Sequence, residues 1–212
     1  MARPPSDEDR ASVARTERRR QILEAAKLVF ADAGYHGASI GAIIERAAIA
    51  RGTFYLYFES KEAVFGALLD EAMTELRARI VHVDTDAAAP PPEIQLLDSI
   101  ARVLEYIVSD RALATVLLSS SWTPDAEAAA RLQAFYADVR SVIALSLARG
   151  AGLGILRPCH PERTAAALLG LVRGIVEYCV SNPADVEGRI GEVTRELIDV
   201  ALRGVLKPLL RT

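Results

Sequence analysis

The chain has 212 residues, of which 51% are hydrophobic and 25% are charged, a composition typical of a globular protein with one or two domains. Its two cysteines, Cys159 and Cys179, are too few and too isolated for a disulfide framework or a zinc site. No run of about 18 apolar residues occurs, and Glu24 and Lys27 interrupt the apolar stretch after the arginine-rich start, so the sequence predicts a cytoplasmic protein without a membrane segment.

Charge is distributed unevenly along the chain. The net charge is -3, but residues 15–61 hold eight Lys or Arg against five Asp or Glu. This segment is therefore positive and the remainder is negative. A basic end on an acidic body suits a protein of which only one end approaches phosphate groups.

The N-terminal residues divide into two parts. Residues 1–12 are mostly polar and have no apolar periodicity, which predicts a disordered segment. Arginines then open the first predicted helix, which ends at Gly34. Such a cluster is either a solvated face or, in part, a set of contacts with a DNA backbone. The arginines are Arg15, Arg18, Arg19 and Arg20, and the apolar stripe behind them comprises Ile22, Ala26, Val29, Phe30 and Ala33.

Two short helices are predicted next, separated by a break at residues 48–51. The first carries apolar residues at positions i, i+3, i+4 and i+7, and Ser39 can cap it. In the second, Phe54 and Phe58 lie four residues apart and can pack inward on the first. The first stripe is Ile40, Ile43, Ile44 and Ala47, and the outward face of the second helix is Gly52, Thr53 and Leu56, flanked by Tyr55 and Tyr57.

This outward face combines a glycine, a hydroxyl group and apolar side chains, which is unusual for a helix face that meets only water. Hydroxyl groups bond phosphates, and apolar atoms touch thymine methyl groups in the major groove. The two short helices therefore have the layout of a helix-turn-helix that lies close to DNA.

The stretch from Arg18 to Leu69 resembles the tetracycline-repressor (TetR) family of bacterial transcription regulators, most specifically in RGTFYLYFESKE, Arg51 to Glu62. The resemblance implies an all-α protein with an N-terminal three-helix helix-turn-helix domain and a larger C-terminal helical domain that dimerises and holds a ligand pocket. The family pattern implies phosphate contacts at Thr53, Tyr57 and Lys61, and base or groove contacts at Arg51, Gly52, Tyr55 and Leu56. We also expect Ser39, which can cap the first short helix, to belong to the DNA-binding set.

Two positions depart from the family pattern. Ala48 stands where the family usually has the glycine of the turn, and Ala50 stands where a hydroxyl residue usually caps the recognition helix. A missing side-chain cap typically costs about 1 kcal/mol. The departure bears on the rigidity of the turn.

A long helix is predicted after Ser60, which can cap it, and about 20 residues of apolar periodicity follow. The proline-rich stretch Val83 to Glu93 then marks a boundary. Five further helical patterns occupy the remainder, and no alternating strand pattern is present. We therefore expect a disordered segment at residues 1–12, a DNA-binding domain at 13–62, and a helical ligand-binding and dimerisation domain at 63–212.

The C-terminal part holds aromatic residues that fall on three predicted helices and one loop. Ordinary core packing explains any single one, but aromatic walls with a few polar tips are also typical of a small-molecule pocket. The predicted ligand-binding residues are Tyr106, Trp122, Phe135, Tyr136 and Tyr178, and the cations that could meet an anionic group of the ligand are Arg102, Arg140 and Arg173.

No pattern of residues supports catalysis or metal binding. The three histidines lie apart, and the sequence lacks a nucleophile elbow, a zinc-protease helix and a phosphate loop. We therefore expect no catalytic residues, no metal and no cofactor. The favoured interpretation is a regulator, most simply a repressor, that a small and largely apolar ligand releases from a palindromic operator.

The predicted partners are double-stranded DNA with an inverted repeat, a second copy bound through the last two helices, and the small hydrophobic effector. Two alternatives remain open from sequence. One is a constitutive DNA-binding regulator whose C-terminal domain only dimerises. The other is an interaction protein of the same fold that has lost operator binding.

Overall fold

The computed structural model describes residues 7–80, 84, 86, 88–118 and 126–205. No β-strand occurs in this part of the chain, which confirms the predicted all-α class. The helices follow in the order α1 (Asp7–Gly37), α2 (Ile40–Arg46), α3 (Arg51–Tyr55), α4 (Lys61–Arg79), α5 (Pro92–Ser109), α6 (Arg111–Leu118), α7 (Ala126–Gly152), α8 (Pro161–Ser181), α9 (Pro183–Val186) and α10 (Ile190–Val205).

Helix α1 begins earlier than the sequence predicts. It starts at Asp7, so the expectation of a disordered segment is wrong for residues 7–12. Residues 7–20 contain neither Gly nor Pro and are rich in Ala, Glu and Arg, which favour helices without needing an apolar stripe. Residues 10–20 are all exposed. The missing periodicity therefore reflects a solvated helix rather than an unstructured segment.

The small N-terminal domain packs around a group of aromatic side chains. Phe30 lies 5.4 Å from Phe65 between ring centroids, and Tyr35 lies 4.9 Å from Phe65. Phe54 and Phe58 are both buried, as their four-residue spacing predicts. Rings contributed by α1, α3 and α4 therefore hold the helix-turn-helix against the rest of the domain.

Helix α4 belongs to both halves of the molecule. Its cap is as predicted, because the Ser60 hydroxyl accepts a hydrogen bond of 3.1 Å from the Ala63 amide. Near this cap, Phe65 is buried in the N-terminal core. Met73 and Leu76, further along, line a cavity in the C-terminal half. One 19-residue helix thus runs from the DNA-binding side to the interior of the larger domain.

The buried core is continuous across the predicted boundary at residue 62. One cluster of buried side chains extends from Ile22 in α1 to Val176 in α8. Helix α1 also packs against α6. The division into residues 13–62 and 63–212, which remains a prediction, falls within the first turn of α4 and not at a gap in the packing.

Helix α8 has an unusually apolar surface for its position. By length and composition alone it could cross a membrane, but core helices of water-soluble proteins pass the same test. Only 17% of its apolar window is buried within the chain. The neighbouring α10 leaves Val200 61% exposed. These two helices therefore present apolar surface that the described part of the chain does not cover.

Candidate nucleic-acid interface and ligand cavity

The helix-turn-helix is built from α2, a tight turn and α3. Ser39 caps α2 by accepting a hydrogen bond of 3.1 Å from the Ala42 amide, as predicted. In the turn, Ala48 has a φ of 50°, the left-handed conformation that favours glycine. Ala50 precedes α3 and provides no side-chain cap. The departure at Ala48 therefore has a conformational cost, and the departure at Ala50 leaves α3 without a capping hydrogen bond.

Helix α3 is shorter than predicted, because it ends at Tyr55 and the chain continues to Phe58 in a turn. Its outward surface nevertheless consists of the predicted residues. Leu56 is 76% exposed and Tyr55 is 45% exposed. Arg51 and Gly52 are also exposed, and the Arg51 guanidinium lies 5.8 Å from the centre of the Tyr55 ring.

The predicted phosphate-binding residues lie at the edge of this surface. Thr53, Tyr57 and Lys61 are all partly exposed. The Lys61 ammonium also has a structural role, because it donates hydrogen bonds to the carbonyl oxygens of Tyr35 at 2.9 Å and Ala38 at 3.2 Å. An ammonium has three hydrogens, so one remains for an anion. The sequence predicted only the anion contact.

The second candidate site is a cavity of about 230 Å³ lined by helices of the C-terminal half. Helices α4, α5, α6, α7, α8 and α10 all contribute to its walls. The side chains that line it are overwhelmingly aliphatic. A cavity with such walls suits an apolar molecule, since a charged ion would find few partners in it. Representative lining residues are Leu76, Val103, Leu117, Val139, Ile143, Leu168 and Val172.

Of the five predicted ligand-binding aromatic residues, two line the cavity. Phe135 and Tyr136 contribute to its wall from α7. Tyr106 lies outside the lining, with the Arg79 guanidinium 4.1 Å from its ring centre. Tyr178 also lies outside; it is 45% exposed and donates a hydrogen bond of 2.6 Å to Asp185. Trp122 lies outside the described residues.

The predicted cations also divide into residues that line the cavity and residues that lie outside it. Arg173 lines the cavity, and its guanidinium lies 4.7 Å from the centre of the Tyr136 ring. Arg102 is instead paired with Asp98 on the surface of α5. Arg77, which the sequence did not single out, lines the cavity from the last turns of α4. Arg77 lies one helical turn beyond Met73, which also lines the cavity. Helix periodicity could therefore have identified Arg77 from the sequence.

A polar connection joins the cavity to α6. The Tyr136 hydroxyl donates a hydrogen bond of 2.6 Å to the carbonyl oxygen of Leu117, a lining residue of α6. Burial raises the pKa of Tyr136, partly offset by the positive charge of Arg173. The tyrosine is therefore a neutral donor that fixes the end of α6 against α7.

The other end of α6 reaches the DNA-binding domain. Asp110 precedes the helix, and its carboxylate accepts a hydrogen bond of 2.9 Å from the Leu113 amide. The same carboxylate pairs with Lys27 of α1. Helix α6 thus contacts the cavity at one end and α1 at the other, in addition to the link that α4 provides.

Comparison with known proteins agrees with this arrangement. Residues 22–68 match the family model of bacterial regulatory proteins of the tetR family, a span that covers the last part of α1, the helix-turn-helix and the start of α4. These residues form a helix-turn-helix DNA-binding domain. Residues 22–68 therefore belong to the TetR family.

Relatives and solved structures extend the similarity beyond this domain. The transcriptional repressor DhaR of Mycobacterium sp. (strain GP1) is 36% identical over 95 residues, which are 45% of this chain and 48% of DhaR. The chain thus spans about half the length of the curated relatives first matched.

Two solved structures share the whole fold. FadR from Bacillus subtilis, in complex with stearoyl-CoA, has a TM-score of 0.72 and 23% identity over 87% of this chain and 98% of its own. SmeT, repressor of a Stenotrophomonas maltophilia multidrug efflux pump, was solved with triclosan and has a TM-score of 0.71 and 20% identity over 92% and 95%.

Proposed function

We propose that the protein is a cytoplasmic, sequence-specific DNA-binding transcriptional regulator that acts as a repressor. The exposed face of α3 is the observation that carries this proposal. Arg51 supplies a donor for base edges, Gly52 lets the backbone approach closely, and Leu56 presents apolar atoms to thymine methyl groups. Thr53, Tyr57 and Lys61 would bind the adjoining phosphates.

The proposed regulator acts as a homodimer. Gly170 and Gly174 lie one turn apart on the exposed side of α8 and would allow a second helix to approach closely. Val200 of the neighbouring α10 is 61% exposed and adds apolar surface. Pairing of α8 and α10 with their copies would bury this surface around a two-fold axis. The dimer would then read an inverted repeat, and sedimentation at micromolar concentration should show twice the mass of one chain.

The proposed effector is a small, largely apolar molecule that occupies the cavity. Stearoyl-CoA in FadR and triclosan in SmeT both include substantial apolar parts, in proteins with the same fold. A ligand changes DNA affinity only if it binds one conformation of the protein better than another. The effector would bind less well to the conformation whose two α3 helices fit successive major grooves about 34 Å apart.

Two variants test the effector role. Val139→Phe would fill part of the cavity, while Leu145→Phe adds the same ring type to an exposed position of the same helix. Both should bind DNA selected by the wild-type protein from a random duplex library. A panel of hydrophobic compounds should release that DNA from the wild type and from Leu145→Phe, but far less from Val139→Phe.

The alternatives give different outcomes in the same experiment. If DNA is bound but no compound that occupies the cavity changes the affinity, the protein is a constitutive regulator. If the library yields no preferred sequence, and the DNA upstream of the coding region gives no mobility shift, the protein is an interaction protein that has kept only the fold.

A further inference from the structure

We infer that one face of the N-terminal part of α1 binds the DNA backbone beyond the base pairs that α3 reads, so that each subunit has a second, sequence-independent DNA contact. This inference rests on the proposed DNA-binding function and extends the site outward. The part of α1 concerned is residues 7–21, called here the α1 extension. It precedes residues 22–68, which match the family model.

Three arginines share one face of the α1 extension. Arg15, Arg18 and Arg19 occupy positions i, i+3 and i+4, which lie on the same side of a helix. The one acidic residue between Arg10 and Gln21 is Glu17, which points to the other side and pairs with Arg20 at 2.6 Å. Between Arg10 and Gln21, the face with three arginines, called here the basic face, therefore holds no carboxylate to offset them; Asp7, Glu8 and Asp9 lie in the first turn of α1.

Within the described residues, Arg15 has no hydrogen bond or ion pair. Arg18 bonds only the neutral amide oxygen of Gln21, at 2.6 Å. All three guanidinium groups are exposed. Like charges at these spacings destabilise an isolated helix. A row of phosphates would offset that repulsion, because each guanidinium group is attracted to a phosphate.

The α1 extension leaves the domain beside α3. Gln21 donates a hydrogen bond of 2.7 Å to the carbonyl oxygen of Ala47, just before the turn that leads into α3. The Arg19 guanidinium lies 5.5 Å from the centre of the Phe58 ring, just after α3. The base of the extension thus touches the chain on both sides of the DNA-reading helix.

The reach of the extension fits the backbone next to the base pairs read by α3. Arg15 lies seven residues, or about 10 Å, beyond Ile22 along the helix. Arg15 and Arg19 are separated by about 6 Å along the axis, close to the rise of two nucleotides at about 3.4 Å each. Phosphates two nucleotides apart on one strand could therefore be contacted together.

The test compares Arg15→Gln with Arg20→Gln, a control with the same change of charge on the opposite side of the same helix. Glutamine keeps a high helix propensity, and circular dichroism would verify that both variants fold as the wild type does. The probes are duplexes selected by the wild-type protein from a random library, prepared in two lengths. One ends at the last base pair of each half-site, and the other extends about 10 base pairs further on both sides.

The salt slope is the slope of log affinity against log salt concentration. On the long duplex, Arg15→Gln should reduce its magnitude by about two units for the dimer, because each subunit then neutralises one phosphate fewer. On the short duplex it should behave as the wild type, and Arg20→Gln should behave as the wild type on both. An equal effect of Arg15→Gln and Arg20→Gln, or no effect of Arg15→Gln on the long duplex, overturns the inference while the proposed function stands. Failure to select any sequence overturns the proposed function itself.

Discussion

Lys27 and Asp110 join the DNA-binding domain to the wall of the cavity. The Lys27 ammonium lies 2.5 Å from a carboxylate oxygen of Asp110, although the residues are 83 positions apart. Only 11% of the Lys27 side chain is exposed, and Glu24 lies 2.7 Å from its ammonium. Burial opposes the charge of this lysine, but the two carboxylates outweigh burial and raise its pKa. The lysine therefore keeps its positive charge at neutral pH.

Breaking this pair should weaken the attachment of α1 to α6. We expect Lys27→Met and Asp110→Asn each to lower the free energy of unfolding by about 2 kcal/mol, between the values for exposed and fully buried pairs. Asparagine keeps an oxygen that can cap α6, so the loss reports mainly on the charge. Urea denaturation of the single and double variants would give the coupling energy, expected at about 1 kcal/mol.

The exposed pair of Arg46 and Asp32, at 3.0 Å, provides the control. Arg46→Met and Asp32→Asn should change stability by less than about 0.5 kcal/mol each, because water screens such pairs. If the Lys27 and Asp110 variants were additive, the two residues would not act as a pair and their proposed part in linking α1 to α6 would be wrong.

Short-range features of the fold could be predicted from sequence, and long-range pairings could not. Ser39 and Ser60 predict where their helices begin, because a cap depends on an amide only three positions away. Lys27 and Asp110 each look like ordinary solvated charges, since nothing local shows that α1 meets α6.

The cavity was predictable only in part for the same reason. Phe135 and Tyr136 lie on a helix with a clear apolar stripe, and both line it. Tyr106 and Tyr178 also lie on apolar helices, but outside the lining the Tyr106 ring contacts Arg79 and the Tyr178 hydroxyl donates a hydrogen bond to Asp185. Periodicity identifies the face that packs inward but not which neighbouring charge attracts a tyrosine.

The turn between α2 and α3 should be open to stabilisation. Ala48→Gly should raise the free energy of unfolding by about 1 kcal/mol, because alanine is strained at a φ of 50°. Ala50→Ser should add about 1 kcal/mol by supplying the missing cap of α3. Thermal and urea denaturation would measure both changes.

Gly34→Ala is the matched control for this prediction. Gly34 has a φ of 67° and a ψ of 166°, and an added Cβ would meet no atom within 4 Å. The substitution should therefore cost about 2 kcal/mol for backbone strain alone. A loss of stability in Ala48→Gly would show that the turn does not strain the alanine.

Stability at alkaline pH should depend on Tyr106. Burial and the negative charge of Glu75 raise its pKa from 10 to about 12, partly offset by Arg79. The unfolded chain then loses this proton at a lower pH than the folded chain does. The contribution of Tyr106 to stability is therefore complete below about pH 10 and is lost as the pH rises towards about 12.

Tyr106→Phe should remove this part of the pH dependence. Its free energy of unfolding should fall less steeply than that of the wild type between about pH 10 and about pH 12. Denaturation at several pH values would measure the slopes. Identical slopes in the two proteins would mean that the Tyr106 hydroxyl ionises in the folded protein as it does in the unfolded chain.

Lys61 should affect both stability and DNA binding. Lys61→Ala removes the donors to the Tyr35 and Ala38 carbonyl oxygens, so we expect a loss of about 1 kcal/mol in unfolding free energy. It should also weaken binding to all DNA sequences alike and reduce the salt slope by about one unit for each phosphate that is no longer neutralised. If the stability falls while affinity and salt slope stay unchanged, Lys61 is only a structural residue.

DNA recognition by α3 can be measured with a fluorescent duplex selected by the wild-type protein and a duplex of scrambled sequence. The wild type should bind the selected duplex at least about 10³ times more tightly. Arg51→Ala should reduce this ratio by lowering affinity for the selected duplex, because Arg51 is exposed at the start of α3, where base edges are read. Two results would contradict DNA reading by α3. One is equal affinity of the wild type for both duplexes, and the other is an affinity ratio that is unchanged both in Arg51→Ala and in Leu56→Ala.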